Sequence, residues 1–167
     1  SASGSDTAAA SRPTASSIAT SMRAASPPTS IASPVGTRTG QAQVSIKDSP
    51  LVFVGYGVDA PEQQWNDYAG IDVKGKTVVM LVNDPGFHAN DPKLFDGKRM
   101  TYYGRWTYKF EEAARKGAAA ALIIHDTEGA SYGWDVVRNS WAGPQYDLPA
   151  KVDPSPRVPA QGRITSD

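Results

Sequence analysis

The feature that most restricts this chain is a set of three short apolar runs, at residues 51–54, 77–82 and 119–124. The first is β-branched and aromatic and stops at Gly55, as a strand would. The second follows a turn at Lys74-Gly75-Lys76 and shows no polar alternation, the pattern of a central strand covered on both faces. An amphipathic stretch precedes the third, with Trp106, Phe110, Ala113 and Ala114 on one helical face. Thr107 is placed to cap this helix, Arg115 and Lys116 fall in its last turn, and Gly117 suits a left-handed residue after it. Val44 and Ile46 alternate with polar neighbours and read as an edge strand. A helix joined by a short loop to a buried strand predicts an α+β or α/β sheet with a helix on one face.

Composition divides the chain. Residues 1–40 contain ten Ser, nine Ala, six Thr and four Pro, with no aromatic residue. So little apolar surface cannot offset chain entropy, and the segment is expected to be disordered. The folded domain is expected over 41–167, with all four Trp, seven Tyr and four Phe. The whole chain has a formal net charge of +0, which gives no basic footprint for nucleic acid or an anionic membrane surface. No apolar run reaches the roughly 20 residues of a membrane-spanning helix. There is no cysteine, hence no disulfide and no thiol chemistry.

Several motifs suggest chemistry and meet a plainer reading. Gly55-Tyr56-Gly57-Val58-Asp59-Ala60 fits the glycine pattern of a dinucleotide loop, but Pro61 arrives where the phosphate-binding helix should begin. The glycines read as a sharp turn at a strand end. His88 lies among Asp84, Asp91 and Asp96, yet the calcium-loop and paired-histidine zinc patterns are missing, and Asn-Asp-Pro sequences form turns. No metal site is expected; His88 and Asp91 are the residues that would carry one. His125 and Asp126 could act as an acid–base pair in a stand-alone hydrolase, although no serine sits in a nucleophile elbow.

Residues 83–106 and 125–150 have no clear periodicity and read as long loops rich in aromatics. Tyr102, Tyr103 and Arg105 form an aromatic–guanidinium surface suited to binding, whereas Trp106 and Tyr108 fall in helical register and read as sheet-covering residues. Trp134 and Trp141 are similar contact candidates in the second loop.

Leu51-Val52-Phe53-Val54-Gly55-Tyr56-Gly57, the stretch Trp65-Asn66-Asp67-Tyr68-Ala69-Gly70 continuing to Val79, Asn83-Asp84-Pro85-Gly86-Phe87, and above all residues 100–118 together resemble the protease-associated domain. The form is the one found in bacterial zinc aminopeptidases of the aminopeptidase Y and glutamate carboxypeptidase group. The resemblance covers roughly residues 43–165, and residues 158–164 look like the last strand of the domain. Thr165-Ser166-Asp167 reads as a helix cap without its helix, so a domain truncated at its C-terminal end is expected.

The resemblance implies a small open sheet or partial barrel flanked by one or two helices, placed over the entrance to a separate active site. It implies a non-catalytic lid in a secreted or periplasmic enzyme. Its partners would be the peptidase catalytic domain and, at the rim, a peptide substrate touching Tyr102, Tyr103, Arg105 and Trp141. Zinc would belong to that catalytic domain and no cofactor to this chain. A protein-interaction domain is the other non-catalytic reading.

Overall fold

The computed structural model describes residues 34–89 and 91–166. Its centre is a five-stranded sheet built from the apolar runs. The strands are β1 (Val35–Gly36), β2 (Leu51–Phe53), β5 (Thr77–Leu81), β6 (Ala120–His125) and β7 (Ala160–Thr165), in the order β1-β7-β6-β5-β2. Strands β2, β5, β6 and β7 run parallel, and β1 closes one edge antiparallel to β7. Two further strands, β3 (Asp59–Ala60) and β4 (Trp65–Asn66), form a small separate hairpin. The sheet stays open, so the expected architecture takes its open-sheet form; the described residues contain no closed barrel.

The helix expected before β6 is α2 (Trp106–Arg115). It starts two residues earlier than a Thr107 cap would place it: its N-cap is Arg105, and no side chain caps it. The long segments around it are not plain loops. They contain α1 (Pro85–Ala89), α3 (Thr127–Ala130) and α4 (Trp134–Ser140), each too short to show an apolar periodicity in sequence. None of the helices among the described residues is long and apolar enough to cross a membrane.

Packing is one-sided. Val78 and Met80 of β5 share a face with Ala121 and Ile123 of β6, and this face meets Phe110 and Ala113 of α2 in the main core. The opposite face carries a register row of Phe53, Val79, Leu122, Gly162 and Val35, followed by Leu81, Ile124 and Ile164. The side chains in those rows are apolar, yet Phe53 keeps 57%, Val35 48% and Ile164 38% of its surface exposed. The uninterrupted run at 77–82 therefore marks a strand closed on one face and half-buried at Val79 and Leu81 on the other.

Val44 and Ile46 do not form a strand. The edge strand lies earlier, at Val35–Gly36, inside the stretch whose composition suggested disorder. Residues 1–33 lie outside the described residues. Gly162 is what admits β1, because a Cβ there would stand 2.6 Å from Val35 Cγ2 and 2.8 Å from the Pro34 carbonyl oxygen.

The two faces should respond differently to truncation. Ile123→Ala is expected to lower stability by about 2–5 kcal/mol, as for a closed core position. Phe53→Ala, at an exposed position of the outer face, should change it by less than about 1 kcal/mol. Urea-denaturation midpoints of the two variants measure the difference, and equal losses would mean that the outer face is covered.

Candidate functional site

A cleft of about 190 Å³ opens where the start of α2, the residue after α4 and β7 converge. Trp106 and Trp141 both line it, together with Phe110 and Glu111 from α2 and Gln161 and Arg163 from β7. Gln161 and Arg163 reach it because β7 alternates: both pair with inward-facing residues of β6, Gln161 with Ala121 and Arg163 with Ile123. Arg163 is thus carried into the interior and is only 2% exposed. Its guanidinium lies against the face of the Trp106 ring. Burial lowers its pKa to about 10, with the Tyr132 hydroxyl opposing the shift and the charge of Arg38 adding to it.

The carboxylates at the cleft are already engaged. Arg157 Nε donates to Asp147 at 3.0 Å, and its Nη2 lies 3.4 Å from Asp153. The hydrogen bond from Arg157 holds the Asp147 carboxyl below its usual range. Glu111 accepts from the Tyr102 hydroxyl at 3.4 Å and lies 3.6 Å from Arg115.

The residues expected to form one rim are divided. Trp141 joins Trp106 in the cleft. Tyr102 and Arg105 are exposed. Tyr103 instead packs into a second apolar cluster, with its ring edge-on to Phe95 at 5.6 Å and to Tyr108 at 4.8 Å. Its hydroxyl donates to Glu62 at 2.6 Å, which pushes its pKa up to about 12. Tyr108, expected over the sheet, is buried in that same cluster, with its hydroxyl bridging the backbone of Asp59.

His125 and Asp126 adjoin in sequence but find different partners. The Nε2 of His125 meets the Tyr132 carbonyl at 2.9 Å, and burial lowers its pKa. Asp126 caps α3 through the amides of Glu128 and Gly129 and pairs with His88 at 3.5 Å. Asp91 accepts from the Lys93 amide, as a turn former does. Among the described residues, no three His, Asp or Glu side chains gather so as to hold a metal ion.

The glycine loop after β2 wraps a carboxylate supplied by the chain itself. Asp67 Oδ2 accepts from the amides of Tyr56 and Val58 at 3.1 and 3.0 Å, filling the cradle that a phosphate would need. Gly57 is left-handed at φ 64°, and a Cβ there would meet Met80 Sδ at 2.7 Å. In place of a phosphate-binding α-helix, a 3₁₀ turn over Pro61–Gln63 follows. Behind the loop, Lys109 of α2 is fully buried and donates from Nζ to the Tyr56 carbonyl oxygen. Asp84 accepts from both the amide and the hydroxyl of Thr101 at 2.9 Å, tying the start of α1 to the segment leading into α2. Burial depresses the Lys109 pKa to about 7, opposed by the charges of Asp67 and Asp84; burial raises both carboxyls.

No protein-family model, curated protein or solved structure matches this chain.

Sequence reasoning missed Arg163, Arg157 and Lys109. For two of them a signal existed. Arg163 alternates with Ile164 in a short strand, and Lys109 stands three residues after Trp106 on the inward face of the helix. Polarity argued against placing either inside.

Lys109 has a pH signature. Its folded pKa lies below its unfolded value near 10.5, so between pH 7 and about 9.5 the unfolded chain holds more protons and stability should rise with pH. The limiting slope is about 1.4 kcal/mol per pH unit. Urea denaturation across this range should show the rise in the parent chain and a flat profile in Lys109→Met; identical profiles would refute it.

Proposed function

We propose that this chain is a non-catalytic accessory domain of a secreted or periplasmic di-zinc metallopeptidase of the aminopeptidase type. On this reading it docks on the catalytic domain and limits or guides the approach of peptide. The observation that carries the reading is the partly open apolar outer face of the sheet, where Phe53, Leu51 and Ile164 are exposed and Leu122 and Ile124 are half-buried. A parallel sheet is ordinarily covered on both sides, and an exposed apolar patch of this kind marks a surface that meets another protein body. Phe53, Leu122, Ile124 and Ile164 would form the centre of that contact, and the catalytic domain of the resemblance is the body that would cover it. Tyr102, Arg105 and Trp141 would remain available to touch peptide. Zinc would be held by the catalytic domain, where it lowers the pKa of a bound water and polarises the scissile carbonyl.

A protein-interaction domain in some other assembly uses the same face, so the partner decides between the two. The purified chain supplied with zinc is expected to hydrolyse no amino-acid anilide and to hold no stoichiometric metal. Turnover that tracks bound zinc would overturn the non-catalytic assignment. An aminopeptidase catalytic domain lacking its own accessory domain should bind the chain, and Phe53→Lys with Leu122→Lys should weaken that binding at least about tenfold, or 1.4 kcal/mol. Binding unaffected by both changes would place the contact elsewhere.

A further inference from the structure

Arg163 presents an imbalance that the rest of the described structure does not correct. Its side chain is buried in the core face of the sheet beside Ile123; Nε, Nη1 and Nη2 make no well-aligned hydrogen bond among the described residues and pair with no carboxylate there, the Tyr132 hydroxyl being a neutral oxygen within interaction range. At its pKa of about 10 it is charged at neutral pH. A buried, uncompensated cation costs several kcal/mol. The polar group beside it is the Tyr132 hydroxyl, whose own pKa burial raises, so it brings no negative charge. The three carboxylates at the cleft, on Glu111, Asp147 and Asp153, are taken by Arg115 and Arg157.

The space beside Arg163 has the properties of a receptor for the missing anion. Trp106 and Trp141, with Phe110 and Pro156, give the cleft apolar walls. Its charged lining is three arginines against three acids, so the cleft as a whole is neutral and favours a single negative charge over a phosphate dianion. A guanidinium offers a planar fork that matches a carboxylate in bidentate fashion. The Trp106 ring lies over that fork. It stands at the first position of α2 and is only half-buried, so rotating it about its side-chain torsions opens the fork to the cleft.

We propose that this cleft binds a monocarboxylate carried on an apolar body, with Arg163 taking the carboxylate, Trp106 turning aside as the gate and Trp141 forming the opposite wall. The carboxylate belongs either to the C-terminus of a short peptide or to a free aromatic or aliphatic acid. Both share the chemistry of the site. The site lies wholly within this chain and does not depend on the peptidase reading, so either can fail alone.

The test is a tryptophan-fluorescence titration of the purified chain with N-acetyl-alanyl-phenylalanine, its C-terminal amide, and phenylacetate. Saturable binding of the free-acid peptide is expected, with the amide at least about tenfold weaker. Comparable affinity for phenylacetate identifies a small-acid site; a loss of about tenfold or more identifies a peptide site. Arg163→Met should abolish binding while raising the melting temperature, because it removes an unpaired buried charge at similar volume. A purely structural arginine would do the reverse and lower the melting temperature. Trp141→Ala, at a half-exposed position, provides a variant that keeps the fold and should weaken binding several-fold. Equal affinity for acid and amide, no saturation by either acid in the millimolar range, or undiminished binding in Trp141→Ala would overturn the proposal.

Discussion

The structure depends on α2 lying across one face of a parallel sheet. Phe110 and Ala113 reach down from the helix to Val78, Met80, Ala121 and Ile123, and this contact holds β5 and β6 at the centre of the molecule. Because the helix follows closely on the 3₁₀ turn at Tyr102–Gly104 and leads into β6 through the short turn at 116–119, its position also fixes both flanking segments. The loops at the carboxyl ends of β2 and β5 are anchored by the same element: Lys109 holds the Tyr56 carbonyl from below, and Asp84 holds Thr101 just ahead of the helix.

Two buried basic side chains sit on this framework, and the chain treats them differently. Lys109 has a backbone carbonyl as acceptor and two carboxylates whose charges favour its protonated form, so it works as an internal tie. Arg163 has an aromatic face and a neutral hydroxyl. The first arrangement closes on itself. The second leaves a charge directed toward a cleft, which is why chemistry is assigned to the cleft and stability to the lysine. The glycine loop belongs with the lysine: Asp67 occupies the amides that would otherwise face a ligand.

The aromatic segment before α2 shows how one stretch of sequence is shared among tasks. Tyr103 and Tyr108 close the second apolar cluster under the β3–β4 hairpin, Trp106 covers Arg163, and Tyr102 remains exposed with its hydroxyl on Glu111. Composition alone cannot separate these uses, since burying a ring and offering it to a ligand draw on the same apolar surface.

The sequence by itself determined the central strands and the long helix, because runs of four to six apolar residues and a repeated helical face are local patterns set by backbone period. It also determined the turns at Asp91 and at the glycine loop, where groups two or three residues apart satisfy one another, Lys93 N–H on the Asp91 carboxylate and Gly57 N–H on the Val54 carbonyl. Only the tertiary structure decided the rest. The edge strand moved from Val44 and Ile46 to Val35–Gly36 because Gly162, far along the chain, leaves room for it. Asp126 turned from His125 to His88, since successive residues at a strand end point to opposite sides. The apolar run of β5 is only half-buried at Val79 and Leu81 because sequence records that a residue is apolar and not what stands opposite it. Arg163 and the two tryptophans meet across 22 and 57 residues of chain, from Trp141 and from Trp106. No local pattern encodes such a meeting, because it arises from strand register and helix packing acting together.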